Sequence, residues 1–412
     1  MTKIEPSPRM EKQKPSTHQY RGEETYFHPN LIPTHKRLPV SFTHGKGVWL
    51  YDSEGRAYLD MLAGIAVDSI GHAHPRLVEA IASQAAKVIH VSNNFHIEEQ
   101  EKLAERVTRL AAMKQAFFVN SGAEANEAAI KLARLYGHQN GVKKPQIVVM
   151  EKAFHGRTLA TVWAGGNKKV QDGFGPPVDG FIRIPFGDAK ALREVVAANS
   201  KIVAVLTEVI QGEGGLNVMA TPALEEIGAI CDQHDLLFMI DEVQTGLGRT
   251  GRYFGFQHTQ VKPDVITLAK GIGGGVPLGA CLIRGRAMNV FCVGSHGSTF
   301  GGNPLACAAG NAVLQVIEEQ GLCDNAEAVG KFLMSELQGR LARHGVTEVR
   351  GRGLMIGAQM NRPCGEITRK ALDFGLLLNV TAETVIRFVP PLIITKEEAR
   401  EAVERLEQVF EA

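Results

Sequence analysis

Val265-Ile266-Thr267-Leu268-Ala269-Lys270-Gly271-Ile272-Gly273-Gly274-Gly275 is an apolar run that closes on a lysine and then enters a glycine-rich turn. A short, near-continuous apolar run reads as a strand buried on both faces, so Lys270 leaves the sheet with its ammonium near the interior. Burial there lowers its pKa toward the neutral, nucleophilic amine. The glycines let the backbone turn sharply and leave room for a bulky group beside the side chain. Most lysines at strand ends simply reach solvent, so the rest of the chain has to decide. Upstream, Leu236-Leu237-Phe238-Met239-Ile240 is a second apolar run, and it ends in Asp241-Glu242-Val243-Gln244-Thr245-Gly246. An aspartate at one strand end and a lysine at another suggest a cofactor held between a carboxylate and an amine. Pyridoxal phosphate needs that pair: an anion keeps its ring nitrogen protonated and a lysine carries its aldehyde.

Working outward, strand candidates Ala116–Val119, Ile147–Met150, Ile202–Val209, Leu236–Ile240, Val265–Ala269 and Ala280–Ile283 alternate with helical patterns between about residues 75 and 305. That alternation predicts an α/β fold, a mostly parallel central sheet with helices on both faces. The flanks differ. Val48–Tyr51 and Arg56–Asp60 read as a hairpin around Asp52-Ser53-Glu54-Gly55, and residues 306–412 carry amphipathic helices and short strands. The expected organisation is a loosely docked or disordered arm over 1–20, a large domain over 76–305, and a smaller α+β domain assembled from 21–75 and 306–412. Ligands of such sheets sit at the carboxyl ends of the strands, where Asp241 and Lys270 lie.

Bulk properties narrow the class. Lys and Arg number 45 against 44 Asp and Glu, a net charge of +1, which argues against a nucleic-acid or membrane-surface binder. No apolar run is long enough to cross a bilayer. The six cysteines (231, 281, 292, 307, 323 and 364) are scattered, without metal-ligand spacing, and read as free thiols in a reducing, cytoplasmic setting. No metal site is expected. Residues 1–20 lack a signal-peptide core, and Glu5 and Glu11 speak against a transit peptide.

Five further strings carry chemistry. Asn120-Ser121-Gly122-Ala123-Glu124-Ala125-Asn126-Glu127 follows a strand and opens a helix; Ser-Gly at a helix start offers free amides to a phosphate, although an ordinary cap looks the same in isolation. In Phe154-His155-Gly156-Arg157, Phe154 could cover an aromatic ring and Arg157 could grip a carboxylate. Glu208 and Glu213 follow a buried strand, in Thr207-Glu208-Val209-Ile210-Gln211-Gly212-Glu213-Gly214-Gly215. Arg387, inside the apolar run Val385-Ile386-Arg387-Phe388-Val389, needs an anion, and either glutamate could supply it. The loop Gly294-Ser295-His296-Gly297-Ser298-Thr299-Phe300-Gly301-Gly302-Asn303-Pro304 is polar and glycine-rich, with hydroxyls that could reach a phosphate.

Taken in order and spacing, these strings resemble the class III (ornithine/GABA-type) pyridoxal-phosphate aminotransferases from about residue 22 to 412. The chain departs from many relatives at Thr207-Glu208-Val209, where they carry Val-Glu-Pro, and at Ala123, where they carry Thr. The resemblance implies the fold type I of pyridoxal-phosphate transferases. It implies Lys270 as the cofactor-bearing residue and proton shuttle, and Asp241 as the partner of the ring nitrogen. Glu242, Val243 and Gln244 would lie by the cofactor, Phe154 would stack on it, and the amides of Gly122 and Ala123 would bind its phosphate. Thr299 would reach the same phosphate from a neighbouring subunit, so the implied unit is a homodimer with shared active sites. Arg157 and Ser298 would contact substrate.

Within the family, the run Gly294–Cys307 and Val91-Ser92-Asn93-Asn94-Phe95 point to the branch that moves the δ-amino group of N2-acetylornithine to 2-oxoglutarate. Its two amino donors explain Glu213 and Arg387. Glutamate presents an α-carboxylate at the reacting end and acetylornithine does not, so Glu213 would neutralise Arg387 for one and swing aside for the other. Alternatives in the family are ornithine, succinylornithine, succinyldiaminopimelate and GABA as substrates. A non-catalytic cofactor-binding relative is the alternative of another class. A dinucleotide-binding enzyme would suit the α/β pattern, but no G-x-G-x-x-G follows a first strand.

Overall fold

The computed structural model describes Tyr26 and residues 28–412; the arm expected over residues 1–20 lies outside the described residues. Strands β1 (Phe42–Lys46), β2 (Trp49–Asp52) and β3 (Ala57–Asp60) form an antiparallel meander. Its second turn closes because Asp52 Oδ1 accepts from the amides of Glu54 at 2.9 Å and Arg56 at 3.0 Å, the side chain standing in for a backbone acceptor.

The large sheet is built from β4 (Gln115–Val119), β5 (Gln146–Met150), β6 (Phe181–Ile184) and β7 (Ile202–Glu208). After a two-residue ribbon of β8 (Ile210–Gln211) and β9 (Asn217–Val218), it is completed by β10 (Leu237–Asp241), β11 (Val265–Leu268) and β12 (Gly279–Ile283). The order is β4-β12-β11-β10-β7-β5-β6, and β12 runs against both of its neighbours while the remaining pairs are parallel. Alternate residues of one strand enter different cores. Ile147 and Val149 pack with Ala129 and Leu132 of the helix Gly122–Gln139, whereas Val148 and Met150 join the main core. Both faces are covered, which is why these strands read as unbroken apolar runs rather than alternating ones.

Sequence reasoning missed β6. Phe181-Ile182-Arg183-Ile184 is a four-residue edge strand, and its Arg183 turns outward to the carbonyls of Trp163 and Gly165. A single charged residue in so short a run hides the apolar signal, and edges tolerate it. Asp241 is the last residue of β10 rather than the first beyond it.

The N-terminal meander and the C-terminal segment meet in space. β13 (Val346–Arg352), β14 (Met355–Met360), β15 (Leu376–Leu377), β16 (Asn379–Thr381) and β17 (Val385–Phe388) follow the long helices Pro304–Glu319 and Leu322–Leu341. β15 pairs with β3 in parallel, joining the C-terminal segment to the N-terminal meander, and β13-β14-β17-β16 forms a separate sheet. The helix Lys396–Glu411, capped by Thr395 with Glu398, packs on Leu322–Leu341. Among the described residues no helix is long and apolar enough to cross a membrane.

Candidate active site

Sheet register sets the site. In the parallel β7-β10-β11 stretch, Glu208 pairs with Asp241 and Asp241 with Thr267, so three polar side chains end their strands side by side. Lys270 follows three residues later. Asp241 is buried, and its Oδ2 accepts from Asn126 Nδ2 and His155 Nδ1, each at 2.8 Å, while Oδ1 accepts from the Val243 amide at 2.9 Å. Asn126 is itself oriented: its Nδ2 also donates to the His155 carbonyl at 2.9 Å, and Thr267 donates to its Oδ1 at 2.8 Å. Burial opposes charge on His155, but the hydrogen bond and charge of Asp241, with Glu208 beyond, leave its pKa raised. The result is a carboxylate fixed by three donors, with an imidazole behind it whose charged form Asp241 favours.

Lys270 lies in a tight 3-10 turn over Lys270–Ile272 with a left-handed φ of 49°, a conformation that costs a non-glycine residue about 1–3 kcal/mol. Burial, followed by the charge of Arg387, lowers its pKa to about 8. The amine is therefore far closer to its nucleophilic form than a surface lysine.

Opposite lies the start of the helix Gly122–Gln139. Ser121 caps it, accepting from the Glu124 amide at 3.2 Å, and the Glu124 carboxylate folds back onto the Asn120 amide at 2.7 Å. Among the described residues the amides of Gly122 and Ala123 have no acceptor, and the helix dipole makes that end attractive to an anion. Val243 crowds this turn: a Cβ on Gly122 would sit 2.8 Å from Val243 Cγ1, so only glycine fits.

The strings around Gly122, Phe154, Glu213, Asp241 and Lys270 converge on one cavity of about 380 Å³, with Phe154, Arg157, Glu213, Asp241, Gln244 and Lys270 in its walls. Arg157, which lines the cavity, and Arg387, which lies behind Glu213, differ sharply. Arg157 is exposed at the cavity wall, with its guanidinium 5.8 Å from the Phe154 ring and no carboxylate partner among the described residues. The Arg387 side chain is 0% exposed and donates to Glu213 Oε1 at 2.5 Å, to Asn379 Oδ1 at 3.1 Å and to Gln244 Oε1 at 3.4 Å. Its Nη2 is buried and has no acceptor among the described residues. Of the two glutamates open as partners, Glu213 is the one that reaches it; Glu208 stays in the cavity wall, buried.

Not every expected residue faces the cavity. Glu242 is a correction: its side chain points into the protein, where its carboxylate accepts from Thr245 Oγ1 and the amides of Gly255 and Phe256. Alternation along the chain turns Asp241 toward the cavity and Glu242 away from it. Ser298 stands at the rim, its Oγ accepting from Asn120 Nδ2 at 3.3 Å and the Gly301 amide at 3.0 Å. Thr299 is exposed and does not line the cavity of its own chain. Asn126 and His155 were missed as supports of Asp241. A polar residue on the apolar face Ala125, Ala128, Ala129, Leu132 was the available signal for Asn126, since a buried amide needs partners.

Comparison with known proteins agrees with this arrangement. The family model Aminotransferase class-III matches residues 32–410. The chain belongs to the class III aminotransferases. It is 53% identical to an acetylornithine aminotransferase of Nitrosomonas europaea over 375 residues, covering 91% of this chain and 95% of that one. It is 52% identical to acetylornithine aminotransferase 1 of Bordetella pertussis, covering 90% and 95%. Among solved structures, an ornithine aminotransferase from Toxoplasma gondii superposes with a TM-score of 0.89 at 33% identity, covering 92% of each chain. An acetylornithine aminotransferase from Elizabethkingia anophelis gives 0.82 at 35%, covering 92% and 95%.

As a class III aminotransferase the chain is a pyridoxal-phosphate-dependent transaminase with the fold type I architecture. The residues present fit that cofactor. Two amides without acceptors among the described residues suit its phosphate, a buried aspartate braced by Asn126 and His155 suits its ring nitrogen, and a lysine of lowered pKa suits its aldehyde.

Proposed function

We propose that this class III aminotransferase moves the δ-amino group of N2-acetyl-L-ornithine to 2-oxoglutarate. The products would be N-acetyl-L-glutamate 5-semialdehyde and L-glutamate, a step of arginine biosynthesis. The observation that carries the reading is the pair of unlike arginines, one bare and one held by Glu213. Arg157 binds the carboxylate each substrate carries far from its reacting end: the α-carboxylate of acetylornithine or the γ-carboxylate of glutamate. Glutamate has a second carboxylate beside its reacting carbon, and Arg387 receives it when Glu213 rotates away. Acetylornithine has none, and Glu213 then keeps the Arg387 charge paired.

Bound pyridoxal phosphate supplies the aldehyde that takes up the amino group and the ring that withdraws electrons from the carbon losing its proton. Lys270 takes that proton and returns it, which a pKa near 8 permits at physiological pH. Asp241 would pair with the protonated ring nitrogen, with Asn126 and His155 fixing its carboxylate. Gly122 and Ala123 would hold the phosphate, Phe154 would cover the ring, Val243 and Gln244 would stand by it, and Ser298 would contact substrate at the rim.

The reading includes a homodimer with shared sites, in which Thr299 serves the neighbouring phosphate. The exposed residues Ile89, Phe95 and Phe300 support it, because they sit with Thr299 on loops that Asn93 ties together through the carbonyls of Ser298 and Gly301. Apolar groups on such loops need cover. We place the enzyme in the cytoplasm, in keeping with its free cysteines. The deciding experiment is kcat/KM for acetylornithine, succinylornithine, ornithine, succinyldiaminopimelate and GABA, each with 2-oxoglutarate. Acetylornithine should lead, and a lead by free ornithine or GABA would overturn the assignment.

A further inference from the structure

We propose that Glu208 is a positioning residue whose single buried carboxylate holds the Phe154 wall and the Glu213 gate in a fixed relation; the inference rests on the function proposed above. Glu208 ends β7 directly beside Asp241 and is 7% exposed. Its Oε2 accepts from the Phe154 amide at 3.1 Å and its Oε1 from the Gly212 amide at 3.2 Å. One carboxylate thus ties two loops that arrive from different strands, one carrying the ring-covering phenylalanine and the other the gate. Burial pushes the Glu208 pKa up to about 7; His155 and the two amides draw it down, against Asp241. The two N–H donors favour the charged form, in which both oxygens accept most strongly.

The gate loop is pinned elsewhere as well. Thr381 Oγ1 donates to the Glu213 carbonyl at 2.6 Å, and Arg350 Nη2 donates to the Gly215 carbonyl at 2.6 Å. Gly212 lies against Gln244, where a Cβ would fall 2.6 Å from the side-chain amide group. The Glu213 side chain is 37% exposed, while Arg387 is enclosed and held by Asn379. Gate opening is therefore a side-chain rotation of Glu213 over a fixed backbone, and Glu208 sets the base of that rotation. Loosening the base impairs closure onto Arg387, the state that acetylornithine requires.

The test is hydrogen exchange by mass spectrometry on the cofactor-loaded protein, together with single-turnover rates of both half-reactions. Glu208→Ala should speed exchange in segments 152–157 and 209–215 together by roughly tenfold or more, the worth of a hydrogen bond to a charged group. The kcat/KM for acetylornithine should fall at least about fivefold relative to that for glutamate. General destabilisation would not change that ratio. Glu208→Gln keeps one carbonyl oxygen and turns an N–H₂ toward the second amide, so it should free one segment only; this variant carries the test if the alanine protein does not fold. Glu208→Asp, which keeps the charge, should recover part of the ratio. Unchanged exchange in both segments, or equal losses in both half-reactions, would overturn the proposal. If the substrate panel refuted the assignment of acetylornithine, the exchange result would still decide whether Glu208 ties the two loops.

Discussion

Replacing Glu213 by alanine is the most discriminating perturbation of this site. It removes the 2.5 Å contact to a guanidinium that is itself fully enclosed. Breaking one partner of a buried ion pair costs about 3–5 kcal/mol. Glu213 is partly exposed, and Arg387 keeps its bonds to Asn379 and Gln244, so the local cost is nearer about 2 kcal/mol, or roughly thirtyfold. The sign depends on the substrate. Acetylornithine excludes water from Arg387 without supplying an anion there, so its half-reaction should lose roughly thirtyfold in kcat/KM. The bare Arg387 also attracts the acetylornithine carboxylate in the wrong orientation, which adds non-productive binding. Glutamate no longer has to displace Glu213, and its half-reaction should be unchanged or faster. Arg387→Ala should reverse the pattern and damage glutamate most. Stopped-flow single turnovers of each half-reaction separate binding from chemistry. Equal losses for both substrates in both variants would mean that the pair is only structural.

Lys270→Ala should abolish transamination while leaving the fold intact; undiminished turnover would exclude Lys270 as the proton carrier. In protein freed of cofactor, acylation of Lys270 should rise with pH through about 8, as the neutral amine appears, and Arg387→Ala should move that midpoint upward because a repelling charge is gone. Peptide mapping of the labelled lysine reads both, and a midpoint near 10 would refute the buried-amine argument. Asp241→Asn should still bind cofactor but lose roughly a hundredfold or more in kcat, since the ring nitrogen loses its anion and His155 loses its charged partner. A kcat near wild type would remove Asp241 from the mechanism. Mixed dimers of Lys270→Ala and Thr299→Ala chains should regain one intact site; a stable monomer with full activity at high dilution would exclude shared sites.

Much of the site was legible in one dimension because strand and turn chemistry is local. The apolar runs placed Asp241 and Lys270 at strand ends, Ser121-Gly122 read as a helix start, and the isolated Arg387 demanded an anion. These inferences need only the period of burial and the cost of an unpaired charge. The direction of Glu242 was not legible, because the residue beside a strand-end aspartate can face the cavity or the core, and the amides of Gly255 and Phe256 that claim it come from a distant segment. Nor was the division between Glu208 and Glu213. Both follow the same strand, and only the arrival of β17 from the far end of the chain brings Arg387 to one of them.

By itself, then, the sequence determined which side chains are present, which lie at strand ends and which could not be buried alone. The tertiary structure decided who meets whom. The parallel register that sets Glu208, Asp241 and Thr267 abreast pairs residues on separate strands with a helix or long loop between them. The meeting of the N-terminal meander with the C-terminal segment, like the contacts Asn126–Asp241 and Glu213–Arg387, joins residues more than a hundred positions apart. Such pairings follow from packing two faces of a sheet and closing distant loops, and no local pattern of residues encodes them.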